Sequence, residues 1–411
     1  LRDHGDVGSV VLVLPSTSYR TTDFVRAASD LGLDIAVATE GDQTFAAAHP
    51  DQFINIDLTR PRRGAATILE WARGRDVDGV LAVDDLGVIT AALAGRDLGL
   101  VHNDPAAVAS TRNKAMMRRA LKDVVAQPSF TMLESGTSAA AAVRHVGAPA
   151  VIKPLSLSAS RGVIKVDHPD DAEEAARVVR RILATAGGNP NESLIVERFI
   201  RGPEVAIDGL LVDGTWHTLG VFDKPVPMDG PYFAETIFTT PSRHHPEVVA
   251  EIERVAATAA TRLGLTEGAV HAEVRVHGST VVFLELAARS IGGLCGRALR
   301  FGLMDTSLES VLLRHAIGRP PRAIRRVRDA AGVAMVPVPA PGRFRGFRGT
   351  AAAAAIPGVT AVDITTNPGR RVRPLPFEGT YLGFVFAAGD DPAAVERSLV
   401  EAMRVLDVAI D

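Results

Sequence analysis

The chain has a single cysteine, Cys295, in 411 residues. One thiol excludes an internal disulfide framework and a cysteine-ligated zinc centre. No apolar stretch reaches the roughly eighteen residues that a membrane span requires, and no charged-then-apolar leader opens the sequence. Lysine is scarce beside abundant alanine and arginine, and there is no long basic block. The 45 Lys and Arg against 48 Asp and Glu leave a formal charge of −3, which argues against a general nucleic-acid binder or a membrane-surface protein. Three motifs are also missing: a G-x-G-x-x-G after the first strand, a Walker loop and a G-x-S-x-G elbow. What remains is ordinary globular composition, 46% hydrophobic and 23% charged, long enough for two to four domains. The expectation is a soluble, cytoplasmic protein. Its native start is left open, because the chain begins on Leu1.

What is present begins with alternation. Ser9–Leu14 (SVVLVL) is a continuous apolar run, the mark of a strand buried on both faces. Thr21–Leu31 reads as a helix stopped by Gly32. Strands over Ile35–Ala38, Phe53–Ile56 and Gly79–Val83 alternate with helices over Ala65–Arg73 and Leu86–Ala94. That order predicts a small parallel α/β sheet. Asp104 and Pro105 open a helical stretch, and a second helix is expected over Asn113–Val124, where Lys114 and Arg118 share a face as a basic patch.

Ala148–Pro154 (APAVIKP) reads as a strand, Ser156–Gly162 as a Ser/Gly-rich loop able to offer N–H groups and hydroxyls to an anion, and Val163–Val166 as the returning strand. Lys153 inside that apolar strand needs a partner or an exit to the surface. A helix follows from Asp170 to Ala184. Leu194–Ile200 (LIVERFI) then sets Glu197 in a hydrophobic strand, where it too needs a partner. Glu204 begins the next strand, Asp213-Gly214 turns it, and Val221–Pro225 leads into a long loop, Pro225–Thr236, that carries Glu235. Loops of that length inside a domain are often functional. Pro246–Leu263 is helical.

The stretch Gly268–Gly293 organises the rest. Read with a period of two, Val270, Ala272, Val274, Val276, Val282, Leu284, Leu286 and Ala288 form an apolar face. The alternate positions carry His271, Glu273, Arg275, Phe283, Glu285, Ala287 and Arg289. For Glu273 and Glu285 to stand opposite each other, the connection must be an odd-length loop such as Gly278-Ser279-Thr280, or one strand must bulge. Two facing carboxylates repel unless a cation sits beside them, and hard divalent ions take such oxygens together with substrate phosphates. The plainer reading is a solvated face neutralised by Arg275 and Arg289. Beyond a Pro/Arg-rich connector, Arg319–Arg328, strands over Gly332–Val338, Val359–Thr366 and Tyr381–Ala388 and a helix over Pro392–Leu406 read as a small α+β domain. The run Gly342–Gly349 reads as a solvated basic loop.

In order, Lys114, Lys153, the Ser/Gly loop, Glu197, Glu204, Glu273, Glu285 and Arg289 resemble the ATP-grasp superfamily over residues 1–320. Within it the chain is most similar to the ATP-dependent L-amino acid ligases, dipeptide ligases of the bacilysin-synthetase type. The cues are Asp223-Lys224-Pro225 with Glu235 and Pro241-Ser242, then His271-Ala272-Glu273, then Glu285 to Arg289 followed by Gly292-Gly293. The resemblance implies a Rossmann-like N-terminal domain over 1–103, a helical linker and lid over 104–196, and a central antiparallel catalytic domain over 197–320. The α+β domain over 321–411 would complete one wall of the substrate site.

The resemblance implies roles as well. Lys114 and Lys153 would bind nucleotide phosphates, under a lid containing Ser158, Ser160, Arg161 and Gly162. Glu197 and the backbone at Phe199 and Ile200 would read the adenine edge of ATP, and Glu204 the ribose. Glu273 and Glu285 would hold Mg2+, or Mn2+ in its place. Arg289 would steady the phosphoryl group and the substrate carboxylate, with Gly292, Gly293, Glu235, His271 and Lys224 at the substrates. Ala287 stands where many members carry an asparagine metal ligand, so water would complete the shell; an apolar residue there is similar to the amino acid ligase branch. The implied reaction activates a carboxylate as an acyl phosphate that an amine then attacks, a step that needs positioning and cations more than a nucleophile. Cys295 is expected to pack as a small hydrophobe. The partners are small-molecule carboxylates and amines, with no nucleic acid or membrane and a homodimer left open. Alternatives are a purine-pathway carboxylase-like ligase, a carrier-protein loading enzyme, or an ATP-binding regulator without turnover.

Overall fold

Four parallel strands pack against the rest of the molecule: β1 (Ser9–Val13), β2 (Asp34–Thr39), β3 (Phe53–Asn55) and β4 (Gly79–Ala82), interleaved with α1 (Thr21–Leu31), α2 (Pro61–Trp71) and α3 (Val88–Leu98). The computed structural model describes residues 8–41, 49, 51–302, 305–321, 324–326 and 330–411. Residues 322–323 and 327–328 of the expected connector lie outside the described residues. The strand order is β3-β2-β1-β4. β1 is central, and Val10–Val13 are fully buried, which is why that run is apolar without alternation. The carboxyl ends of β1 and β4 point at the rest of the molecule and carry Tyr19 and Asp84-Asp85, where ligands meet parallel sheets.

Two short capped helices follow. The Asp104 side chain accepts from the N–H groups of Ala106 and Ala107 to start α4 (Pro105–Thr111), and Asn113 accepts from Met116 to start α5 (Lys114–Ala120). The next unit comprises β5 (Phe130–Leu133), α6 (Ala139–Val146), β6 (Ala150–Pro154), β7 (Ile164–Val166), α7 (Ala172–Thr185) and β8 (Leu194–Arg198), with an antiparallel sheet ordered β5-β8-β6-β7. β6 and β8 are therefore interior, and Lys153 and Glu197 lie on adjacent strands.

The central sheet starts with β9 (Glu204–Val212), β10 (Thr215–Asp223) and β11 (Ile237–Thr240). It continues, after α8 (Pro246–Arg262), with β12 (Gly268–His277) and β13 (Thr280–Ala287). α8 packs Ile252, Val255, Ala256 and Ala259 against Val270, Ala272 and Val274. Next come β14 (Arg300–Phe301), β15 (Thr306–Ser307), α9 (Leu308–Ala316), β16 (Ala330–Pro337), β17 (Gly342–Arg348), α10 (Thr350–Ala354), β18 (Val359–Ile364), β19 (Arg371–Val372), β20 (Tyr381–Gly389), α11 (Pro392–Val405) and β21 (Asp407–Ile410). β16, β20 and β18 extend the central sheet to eight strands, β13-β12-β9-β10-β11-β16-β20-β18. The sheet thus runs across residue 320 through the pairing of Ile237–Thr240 with Ala331–Ala334.

The run Gly342–Gly349 is not a loop. Its period of two turns Phe344 into a small core while Arg343 and Arg345 face out, so it forms β17 between β19 and β21. Among the described residues no helix is long and apolar enough to cross a membrane.

Candidate active site

The register of the β12–β13 hairpin differs from the simple alternation. His277 pairs with Thr280, so the connection is the two-residue turn Gly278-Ser279, with Gly278 at φ +61°. Val281 then opposes Val276 and Phe283 opposes Val274. Phe283 is fully buried in the core under α8, not on the charged face, while Val282 stands beside Arg275. A bulge at Leu284 resets the register, so that Glu285 opposes Glu273 and Ala287 opposes His271. Leu284, expected in the core, instead lines the cleft. One extra residue thus brings the two carboxylates face to face. Arg275, expected on a solvated face, is 3% exposed.

The two carboxylates lie in a cleft lined by residues from the N-terminal part (Tyr19), the lid (Lys153), the central sheet (Glu273, Glu285) and the C-terminal part (Met335, Tyr381). On one side, Glu197 is 1% exposed and holds two cations: its Oε1 accepts from Arg118 Nε at 2.8 Å and its Oε2 from Lys153 Nζ at 2.7 Å. Burial would raise the Glu197 carboxyl, but Arg118 and Lys153 outweigh it and hold it down at about 2. Arg118 also donates to the Leu284 carbonyl at 2.6 Å, which fastens the bulge. Lys114 reaches Glu285 at 3.0 Å and donates to the Leu157 carbonyl at 2.8 Å. The Ser156–Gly162 loop, with Ala159 and Ser160 at positive φ, closes over this side and meets the C-terminal segment where Gly162 N donates to Pro376 O at 2.9 Å.

On the other side, Lys224 is the hub. The residue is 5% exposed, and its ammonium donates to Glu204 at 2.8 Å, Glu235 at 2.5 Å and Glu273 at 2.7 Å. Burial would lower the Lys224 pKa, but the three carboxylates raise it well above the ordinary value. Glu235 is pushed up to about 7 by burial and by its neighbour Glu273, against the pull of Lys224. Among the described residues, the one group with the spacing of a metal site is Glu204, Glu235 and Glu273; Lys224 already sits among them, and Glu285 is not part of it.

Two further contacts frame the cleft. Arg289 donates through Nε and Nη2 to Asp85 Oδ2 at 3.1 and 2.9 Å, and Arg112 approaches Asp85 at 3.3 Å. Burial would raise Asp85, but Arg289 and Arg112 hold it at about 2. His271 Nδ1 lies 2.6 Å from Asp208, whose other oxygen accepts from Ile291 N at 2.8 Å. Burial would lower His271, but Asp208 raises it to about 9. The fully buried Cys295 packs against Met335 with sulfurs 3.8 Å apart, and burial pushes its thiol pKa far up.

All of the expected site residues except Arg161, Gly162 and Lys224 line this one cleft; Arg161 and Gly162 are in the loop over it, and Lys224 is directly behind Glu235 and Glu273. Arg118, Asp85, Asp208, Tyr19, Phe238, Met335 and Tyr381 belong to the site beyond the residues expected from sequence. Asp208 carried a usable signal, a lone acid in the apolar run of β9, and so did Asp85 at the carboxyl end of a parallel strand. Tyr19, Met335 and Tyr381 carried none.

A parallel N-terminal domain and an antiparallel lid closing on a central sheet define the ATP-grasp fold. Three family models match the chain: an ATP-grasp N-terminal domain over residues 25–102, an ATP-grasp domain over 146–298, and L-amino acid ligase C-terminal domain 2 over 334–411. The chain belongs to the ATP-grasp superfamily and, within it, to the L-amino acid ligase family. Human carnosine synthase 1 is 28% identical over 343 residues, which are 77% of this chain and 41% of that protein, so the chain spans less than half of that relative. Alanine–anticapsin ligase of Bacillus subtilis (strain 168) is 26% identical over 251 residues, 56% of this chain and 52% of that protein. The crystal structure of L-amino acid ligase from Bacillus licheniformis superposes with a TM-score of 0.80 at 22% identity, covering 98% of this chain and 99% of that one.

Proposed function

We propose that this protein is an ADP-forming ligase that uses ATP to join the carboxylate of one L-amino acid to the amine of a second amino acid or another amine. The observation that carries this reading is the bulge that sets Glu273 opposite Glu285 between fixed cations. Opposed oxygen donors beside lysines and arginines suit a hard divalent ion bound jointly with phosphates. Glu273 and Glu285 would hold Mg2+ or Mn2+, which when bound supplies charge neutralisation. Lys153, oriented by Glu197, and Lys114 would take the phosphates. Arg289, fixed by Asp85, would take the substrate carboxylate and the transferring phosphoryl group.

In the reaction, a carboxylate oxygen of the first substrate attacks the terminal phosphorus of ATP and the bond to ADP breaks. The amine then attacks the acyl carbon, loses a proton, and phosphate leaves. No protein nucleophile is needed, which suits a cleft whose one thiol is buried and held protonated. The names of the alanine–anticapsin and carnosine relatives support amino acid substrates.

The test is ATP with a panel of amino acids, singly and in pairs, reading phosphate and product mass. Phosphate with a dipeptide mass is expected. ADP formation that requires no amine, or none with any pair, would sink the dipeptide reading.

A further inference from the structure

We infer that Arg275 is a positioning residue that ties the base-binding end of the cleft to the acid cluster at Glu235, whose carboxylate would take a substrate amine, through the Pro225–Thr236 loop. The inference rests on the ligase reading for the identity of the ligand, a nucleotide. Arg275 lies on β12 two residues beyond Glu273 and spends each guanidinium nitrogen on a different segment. Nε donates to Glu204 at 3.1 Å, Nη1 to the Ile200 carbonyl at 2.8 Å, and Nη2 to the Met228 carbonyl at 2.6 Å. The same group lies 4.7 Å from the Phe199 ring centre and 5.9 Å from that of Phe233, and those two rings stack at 6.2 Å.

Phe199, Phe233, Val151, Val163 and Met228 form one apolar cluster on the cleft. A flat, apolar wall of this kind suits a heterocyclic base. Two of its members, Met228 and Phe233, come from the loop. The loop leaves the acid cluster at Lys224, passes along the base wall and returns to the cluster at Glu235. It also meets the lid, where Lys165 N donates to Pro231 O at 2.9 Å. A loop of this length is costly to hold in one conformation. Arg275 supplies that restraint, and a base seated on Met228 and Phe233 supplies more, so filling the base end fixes Glu235 for the second substrate. A lysine cannot span three acceptors in one plane.

The experiment is calorimetric titration of the full chain with Mg2+–ADP, and with an accepted amino acid in the absence and presence of that nucleotide. In the wild type, ADP is expected to tighten amino acid binding. Arg275→Met should weaken ADP by roughly tenfold or more, as expected for lost charge-assisted hydrogen bonds, and should remove the effect of ADP on the amino acid. Arg275→Lys should fall between, and it carries the test if the methionine variant does not fold. Phe233→Leu, which leaves every Arg275 hydrogen bond in place, should weaken ADP and reduce the coupling without removing it, because Met228 still seats the base. Arg275 variants that bind ADP within twofold of wild type, or that retain the coupling, overturn the proposal. A wild type that does not bind ADP at all overturns the nucleotide reading itself, a distinguishable result.

Discussion

Two buried ion clusters flank the cleft with opposite stoichiometry. At Glu197, one carboxylate serves two cations, Arg118 and Lys153. At Lys224, one ammonium serves three carboxylates, Glu204, Glu235 and Glu273. The first has surplus positive charge and sits where phosphates would lie. The second has surplus negative charge, even with Arg275 on Glu204, and sits where a divalent ion and a substrate ammonium would approach. The first cluster is locked in one protonation state by its cations. In the second, Glu235 rises to about 7 through burial and the charge on Glu273. A closed cluster orients; an incompletely neutralised one is ready to take up a cation.

The largest effect expected is on rate. Glu285→Gln should leave the fold intact and cut phosphate release by roughly a thousandfold or more, since it removes charge at the reacting centre without changing shape; near-normal turnover would refute the metal assignment. Next, Glu197→Ala strands two buried cations and should cost about 3–5 kcal/mol in denaturant unfolding; a loss below about 1 kcal/mol would mean the cluster is looser than its distances suggest. Lys224→Met should cost about 3 kcal/mol for the same reason. It should recover more stability than the Glu197 variant as Mg2+ or Mn2+ is added, because Glu204, Glu235 and Glu273 then form a further acid site. Equal behaviour of the two variants toward divalent ions would erase the contrast between the clusters.

Asp85→Asn should cost about 2 kcal/mol at neutral pH. The sign follows from the depressed Asp85 pKa of about 2. The ionised pair stabilises the fold above the ordinary aspartate pKa, and that contribution fades as pH falls from about 4 toward 2. Stability curves of wild type and variant should therefore converge in acid; a gap independent of pH would show that Asp85 acts through shape alone. The smallest effect is at the hairpin turn. Gly278→Ala should cost about 1 kcal/mol, because Gly278 has φ +61°. No cost would point to a longer, relaxed loop.

Much of the fold was legible because it is written in local periodicity. Ser9–Leu14 and Thr21–Leu31 read correctly since burial on both faces, and a glycine stop at Gly32 with φ +64°, leave direct marks. The Asp104 cap was legible for the same reason. The arginine-rich β17 was not, because its charge hid the inward Phe344. The lone charges Lys153 and Glu197 each announced a need for a partner, and they proved to be each other's. That Arg118 is the third member had no local sign, since a lysine and an arginine four apart look the same on a solvated helix.

Alternation along Gly268–Gly293 is enough to establish a hairpin with an apolar side and a charged one, and burial alone requires the lysines and glutamates elsewhere to pair. Which half of β13 faces which way is set by contacts from outside the hairpin. The two-residue turn sends Phe283 to the core and the bulge at Leu284 returns Glu285 to Glu273. The reason is physical: a side chain's face depends on the register of a pair, and register here is set by α8 packing on one side and by Arg118 on the Leu284 carbonyl on the other. Neither contact lies within the hairpin's own sequence.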